Sequence, residues 1–214
     1  MGIDAQVFKF LNYCYDYGKF KETLTVARQE IHTHINGYSG YCEKMLNELF
    51  GSNQVDSIDN SNYEQASIIW DLNKLIPDNN QFKEYDTVLD LGTLEHVYNI
   101  PNAFYNLSKL CKVGGQIIHI LPANNFCGHG FWQISPELPF SLYTKKNGYD
   151  KTEVFVLDAD NLDNVKKLDP PTNGNRVTID GPNKIYLGVR TTIKKKPVIH
   201  ENIQQSDYVY YWNK

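Results

Sequence analysis

The chain has 214 residues, a net charge of −4 and a pI near 5.8, a balance that gives no basic face for nucleic acid. Its hydrophobic share of 41% and aromatic share of 13% are those of a globular protein, long enough for one α/β domain over residues 1–214 and short for two. No stretch approaches about 18 uninterrupted apolar residues and the amino terminus carries no signal-peptide core, so no membrane segment and a soluble cytoplasmic protein are expected. Cys14, Cys42, Cys111 and Cys127 are too scattered for a zinc-finger or disulfide framework.

In chain order, residues 1–17 are aromatic and compatible with a helix that packs on a sheet or closes over a ligand site, a lid of residues 1–20. Gly18-Lys19-Phe20 reads as a turn into the first strand. Tyr41 to Phe50 has helical apolar spacing at Tyr41, Met45, Leu46 and Leu49, with Gly51 as its stop. The most informative stretch runs from Tyr85 to Pro122. Thr87 to Leu91 is a short apolar run broken by an acid, as in a parallel strand buried on both faces. Pro101 suits a first helical turn, Phe104, Leu107 and Leu110 fall on one face, and Gly114-Gly115 stops the helix before a second apolar run, Ile117 to Leu121. A strand, crossover helix and parallel strand make an open, doubly wound α/β sheet, which binds ligands outside the carboxyl ends of its strands. Gly92 to His96 and Pro122 to Asn125 lie at two such ends and should face one crevice.

With the pattern YD.V…LEHV.N…L.KL.K.GG.I.H.LP, this stretch resembles the fourth and fifth strands, with the helix between, of class I S-adenosylmethionine-dependent methyltransferases. The resemblance covers residues 24–192 and implies a Rossmann-like, mostly parallel seven-stranded sheet with a carboxyl-terminal antiparallel strand. It places Val55 to Asp59 as the second strand, with Asp59 accepting from the cofactor ribose hydroxyls. Ile68 to Asn73 becomes the third strand and its turn, with Asp71 and Leu72 at the adenine. Glu153 to Leu157 and Lys184 to Thr192 supply the last two strands. Gly92 and Thr93 complete the cofactor set.

The first turn departs from the family. Where a glycine-rich turn normally lets the backbone approach the cofactor, this chain has Ala27-Arg28-Gln29, with no glycine until Gly37. Ala27 is small enough to keep part of the approach, and the Arg28 guanidinium could fork the cofactor carboxylate. The other reading is that binding has been lost. Residues 30–40 then form a loop over the cofactor, with Tyr38 or Tyr41 either stacking there or packing, and in a loop the period-two spacing of Glu30, His32 and His34 carries no metal-binding meaning.

Substrate chemistry should come from residues 123–150. In Gly128-His129-Gly130 the glycines allow unusual backbone angles, so His129 could project into the crevice as the general base, a role an imidazole suits; a turn-capping histidine is the alternative. Phe131 and Trp132 would shape an apolar wall, and Ser135-Pro136-Glu137 reads as a helix start capped by Ser135. Glu95 and His96 open the helix after the fourth strand, and His96 is the second candidate base. Some small-molecule O-methyltransferases of the family hold a divalent metal with a similar Glu-His pair. Here the acid expected three residues earlier is Gly92, so no metal is assigned unless His129 completes the set. Tyr105 and Lys109 match a Tyr-x-x-x-Lys dehydrogenase pair but lack its glycine-rich nucleotide turn, and read as a solvated helix face.

The function implied is methyl transfer from S-adenosylmethionine to an oxygen of a small polar acceptor. The GHGFWQISPEL segment is also similar to that of short methyltransferases from bacterial surface-polysaccharide clusters, which suggests a sugar, phosphate-linked or nucleotide-linked acceptor, with Lys145, Lys146 or Arg28 available for an acidic one. Two other classes compete: a catalytically silent methyltransferase-like subunit acting through a protein partner, favoured by the missing glycine turn, and a nucleotide or nucleotide-sugar enzyme using the same crevice. The aromatic tail Tyr208 to Trp212 could finish the core, cover a pocket or meet a second subunit in a homodimer.

Overall fold

The structure, a computed structural model, describes residues 2–35, 37–78, 81–196 and 203–214. In chain order its elements begin with β1 (Gly2–Ile3), α1 (Ala5–Tyr15), β2 (Lys21–Val26), β3 (Glu30–Ile35), β4 (Tyr38–Tyr41), α2 (Glu43–Phe50), β5 (Ser52–Asp59) and β6 (Ile68–Ile69). They continue with β7 (Tyr85–Leu91), a 3₁₀ turn (Leu94–His96), α3 (Ile100–Leu110), β8 (Cys111–Pro122), α4 (Glu137–Leu142), β9 (Tyr149–Asp158), β10 (Val165–Leu168), β11 (Ile185–Ile193) and α5 (Ser206–Trp212).

Eight strands form the main sheet in the order β10-β9-β11-β8-β7-β2-β5-β6. β6, β5, β2, β7 and β8 run parallel, and β11 inserts antiparallel between β8 and β9. This is the expected doubly wound framework. β10 extends it to eight strands rather than seven, pairing antiparallel with the edge strand β9. From β2 the chain winds outward through β5 and β6, whereas from β7 it winds the other way through β8. The order therefore reverses between β2 and β7, and a crevice opens at their carboxyl ends.

Apolar layers cover both faces. On one side Phe104, Leu107 and Leu110 of α3 pack with Leu24, Val88 and Ile117 from the sheet. On the other, Val7, Phe10 and Leu11 of α1 pack with Leu89, Ile118, Ile120 and Phe155, so α1 lies on the sheet face. Phe10 meets the edge of Phe155 with ring centroids 5.5 Å apart. Asp4 starts that helix, its carboxylate accepting from the Val7 N–H at 2.8 Å. Truncating a core side chain of this kind costs about 2–5 kcal/mol, so the position of the crevice rests on these two layers.

Two local expectations are corrected. Residues 30–40 are not a loop: β3 pairs parallel with β1 and antiparallel with β4 in a small three-stranded sheet. Alternation explains it, since Ile31 and Ile35 are buried while Glu30 and His32 are exposed. Glu30 and His32 therefore do lie on a strand, but no metal-ligating cluster among the described residues includes them, and the side chain of His34 lies outside the described part of the chain. The helix after β7 also ends at Leu110, before Gly114-Gly115, which belong to β8. A Cβ at Gly115 would stand 2.8 Å from the Asp86 carbonyl oxygen, so glycine is there for close strand packing. Among the described residues no helix is long and apolar enough to cross a membrane.

Candidate functional site

A cavity of about 290 Å³ opens at the carboxyl ends of β2, β5, β6 and β7, lined by Val26, Ala27, Ile58, Asp59, Asn60, Trp70, Asp71, Leu72, Asn73, Thr93, His96 and Val97. Ala27, Asp59, Asp71, Leu72, Thr93 and His96 from the sequence-derived set thus share one space. A separate cleft of about 340 Å³ beside α4, lined by Glu137 and Arg176 among others, shares no residue with it.

The first turn resolves the missing glycine. Ala27 takes φ +58°, the left-handed conformation that glycine adopts without penalty, and its N–H donates to the Ile58 carbonyl at 2.8 Å. The backbone follows the path of a glycine turn while carrying a methyl group. Left-handed geometry costs a non-glycine residue about 1–2 kcal/mol, partly offset by the greater unfolded-state entropy of glycine. Ala27→Gly should therefore leave stability unchanged or raise it by up to about 1 kcal/mol, and Ala27→Val should lower it, as read from urea denaturation midpoints.

Arg28 and Gln29 turn away from the cavity. Arg28 Nε lies 2.6 Å from Glu43 Oε1, its Nη1 donates to the Glu64 carbonyl at 3.2 Å, and its guanidinium stacks 4.0 Å over the Tyr41 ring. It is committed to α2 and β4, and the fork expected on a cofactor carboxylate would have to break these contacts. Gln29 is fully buried; its side-chain amide donates to the Val26 carbonyl at 2.5 Å and reaches Thr93 Oγ1 at 3.4 Å, which braces the turn from behind. Gly92 stands just outside the lining, with φ +85°.

The acids at the mouth are held in place. Asp59 ends β5, with its Oδ1 accepting from the Ser61 N–H at 3.3 Å and its carbonyl accepting from the Trp70 N–H at 2.8 Å. Asp71 Oδ1 accepts from the Asn73 side-chain and backbone N–H groups at 2.8 and 3.0 Å, which lower its pKa and keep it an ionised acceptor. Trp70 and Asn60 also line the cavity. They stand inside or beside segments already singled out in the sequence, but no periodicity distinguished them.

Beside His96 the structure assembles a cluster from distant segments. The 3₁₀ turn carries Glu95, whose side chain is 1% exposed, and His129 Nε2 lies 3.3 Å and His96 Nε2 3.8 Å from its Oε1. The two imidazole rings meet edge to face with centroids 5.1 Å apart. Gly130 makes this possible: its φ is +76°, a Cβ there would stand 2.8 Å from the Glu95 carbonyl oxygen, and the next N–H, of Phe131, donates to that same oxygen at 2.8 Å. Burial, then the nearby Asp90, pushes the Glu95 carboxyl up to about 8. Its Oε2 has no hydrogen-bond partner. Burial, then His129, holds His96 below the ordinary imidazole range, which keeps it neutral. Tyr98, Phe131 and Trp132 form an exposed aromatic rim next to the cluster, with Trp132 Nε1 donating to the Val97 carbonyl at 3.0 Å.

Beneath the cluster lies a fully buried polar chain that sequence reading passed over. Asp90 Oδ2 pairs with His119 Nδ1 at 2.8 Å, and His119 Nε2 with the Tyr143 hydroxyl at 2.6 Å. Asp90 Oδ1 accepts from the Thr93 and Leu94 N–H groups at 3.1 and 3.2 Å, and so fixes the turn that presents Thr93, Glu95 and His96. The signal was present: each of Asp90 and His119 is the polar residue that interrupts an apolar strand.

No protein-family model and no curated protein matches this sequence. Solved structures do match its shape. The N-methyltransferase NodS from Bradyrhizobium japonicum, in complex with S-adenosyl-L-homocysteine, aligns over 90% of this chain and 89% of its own with a TM-score of 0.53 at 12% identity. A Thermotoga maritima S-adenosylmethionine-dependent methyltransferase, described as a possible histamine N-methyltransferase, aligns over 87% and 89% with a TM-score of 0.50 at 12% identity. The fold is the Rossmann-like methyltransferase fold, mostly parallel with an antiparallel strand at the carboxyl-terminal side. The likeness to surface-polysaccharide enzymes finds no counterpart in these two structures.

Proposed function

We propose that this protein is a cytoplasmic enzyme that binds S-adenosylmethionine in the β2–β7 crevice and transfers its methyl group to an oxygen of a small polar acceptor. The observation that carries the reading is the convergence of Asp59, Asp71, Leu72 and Thr93 on one cavity around a glycine-like turn at Ala27. A ribose and an adenine amine need ionised or carbonyl acceptors at the ends of adjacent strands, and Asp59 and Asp71 supply them. NodS, of the same fold, holds S-adenosyl-L-homocysteine, the product of such a cofactor.

Methyl transfer is an in-line displacement in which the oxygen–carbon bond forms as the carbon–sulfur bond breaks, leaving a neutral thioether. The protein's part is to align acceptor and sulfonium and to relieve the acceptor of its proton. His129 is the first candidate for that proton, oriented by Glu95, and His96, which lines the cavity itself, is the second. The acceptor class supported best is a neutral sugar hydroxyl. Tyr98, Phe131 and Trp132 offer rings on which a sugar face can lie, while Arg28, one of the cations considered for an acidic acceptor, is paired with Glu43.

The test is transfer of a labelled methyl group across a panel of sugars, nucleotide sugars and amines. Oxygen methylation of a sugar, lowered about 100-fold or more in kcat by His129→Ala with cofactor affinity unchanged, and lowered likewise by His96→Ala, is the expected result. Methylation of amines alone, or full activity in both variants, would overturn the acceptor and base assignments.

A further inference from the structure

Glu95 is a nearly fully buried acid with one unpartnered oxygen, and the groups at its other oxygen are two imidazole nitrogens. No lysine or arginine is paired with it among the described ion pairs, so no such side chain competes for an ion held there. One ligand atom from each of Glu95, His96 and His129 lies within 4.8 Å of the others, and no other such cluster occurs among the described residues. Zinc bonds of about 2.0–2.2 Å set tetrahedral ligand atoms about 3.3–3.6 Å apart. The distances from Glu95 Oε1 to His129 and to His96 are 3.3 and 3.8 Å, and His96, 42% exposed, has room to turn the remaining way.

We propose that Glu95, His96 and His129 form a binding site for one divalent transition-metal ion of the zinc class. Two imidazoles and one carboxylate make a neutral-to-anionic nitrogen and oxygen set suited to such ions, with positions left open on the exposed side of the rings. Those positions border the cavity through His96, a lining residue. The backbone bond from Phe131 to the Glu95 carbonyl and the close approach of Gly130 hold the loop in place before any ion arrives. As a binding site the centre stands by itself. Its use rests on the methyl-transfer reading and would replace the histidine base, since a coordinated imidazole nitrogen cannot take a proton: an acceptor hydroxyl coordinated at an open position would give up its proton to water more readily, and its oxygen would be fixed toward the methyl group.

The test is titration of the chelator-treated full chain with Zn²⁺ by calorimetry and with Co²⁺ by visible absorption, without cofactor or acceptor. The expected result is one ion per chain and a cobalt spectrum of nitrogen–oxygen ligation, with affinity reduced by about 100-fold or more in both Glu95→Gln and His129→Ala. Glu95→Gln is nearly isosteric, and His129 is exposed, so both variants should melt near the unaltered protein in chelator. Cys127, the exposed cysteine nearby, serves as the control: Cys127→Ser should bind as before. No saturable uptake, uptake unchanged in both ligand variants, or uptake lost in Cys127→Ser would overturn the site. Cofactor binding measured on the same preparations is independent of these outcomes, so failure of the metal site and failure of the methyltransferase reading are told apart.

Discussion

Asp90→Ala should cost the protein roughly 3–5 kcal/mol of stability, the range for removing one member of a buried hydrogen-bonded pair. The side chain is fully buried and satisfies three donors at once: the His119 ring, the Thr93 N–H and the Leu94 N–H. Truncation leaves those donors in a space too apolar to offer replacements, and each unsatisfied group carries its own desolvation cost. It also frees the turn that presents Thr93 to the cavity and Glu95 and His96 to the cluster. Asp90→Asn keeps the volume and one acceptor oxygen, so it should cost less. Urea denaturation measures the difference. Equal stability of Asp90→Ala and the unaltered protein would show that the buried chain through His119 to Tyr143 does not hold the site.

Asp59→Ala should weaken S-adenosylmethionine binding by about 10- to 100-fold, from the roughly 1.5–3 kcal/mol that hydrogen bonds to a charged acceptor contribute. Within the described protein its carboxylate accepts a 3.3 Å bond from the Ser61 N–H, so stability should change little. That contrast separates the two predictions. Asp90 holds the scaffold, whereas Asp59 faces the ligand space. Calorimetry on a variant that melts like the unaltered protein reads the effect directly, and unchanged affinity would remove Asp59 from the ribose site.

The strands and helix of Tyr85 to Pro122 were legible because burial on two faces writes a continuous apolar run and a proline and an apolar stripe mark the helix between. β3 was hidden. Its alternation of Ile31 and Ile35 with polar residues is a strand signal, but the framework expected a connection at that point, and only pairing with β1 from the amino terminus makes it a sheet. Ala27 shows the limit of reading residue identity alone, since the turn needed a conformation rather than a glycine. The contacts of Arg28 were not legible for a related reason: its partners Glu43, Glu64 and Tyr41 arrive from elements whose placement the sequence does not print. The Glu95, His96 and His129 cluster was half visible, because Gly128-His129-Gly130 announced an unusual backbone while the surface it docks on emerged only in three dimensions.

The central claim is that the crevice binds S-adenosylmethionine through a turn without glycine. Titrating the unaltered chain by calorimetry with S-adenosylmethionine and S-adenosylhomocysteine, with NAD and a nucleotide sugar as controls, tests it most directly. Saturable one-to-one binding of the two sulfur compounds, on the order of micromolar (about 8 kcal/mol), and none of the controls, is the result this structure predicts. Binding of neither sulfur compound would contradict the account and leave a silent or partner-dependent subunit of the same fold, and selective binding of a control would make the crevice a nucleotide site of another kind.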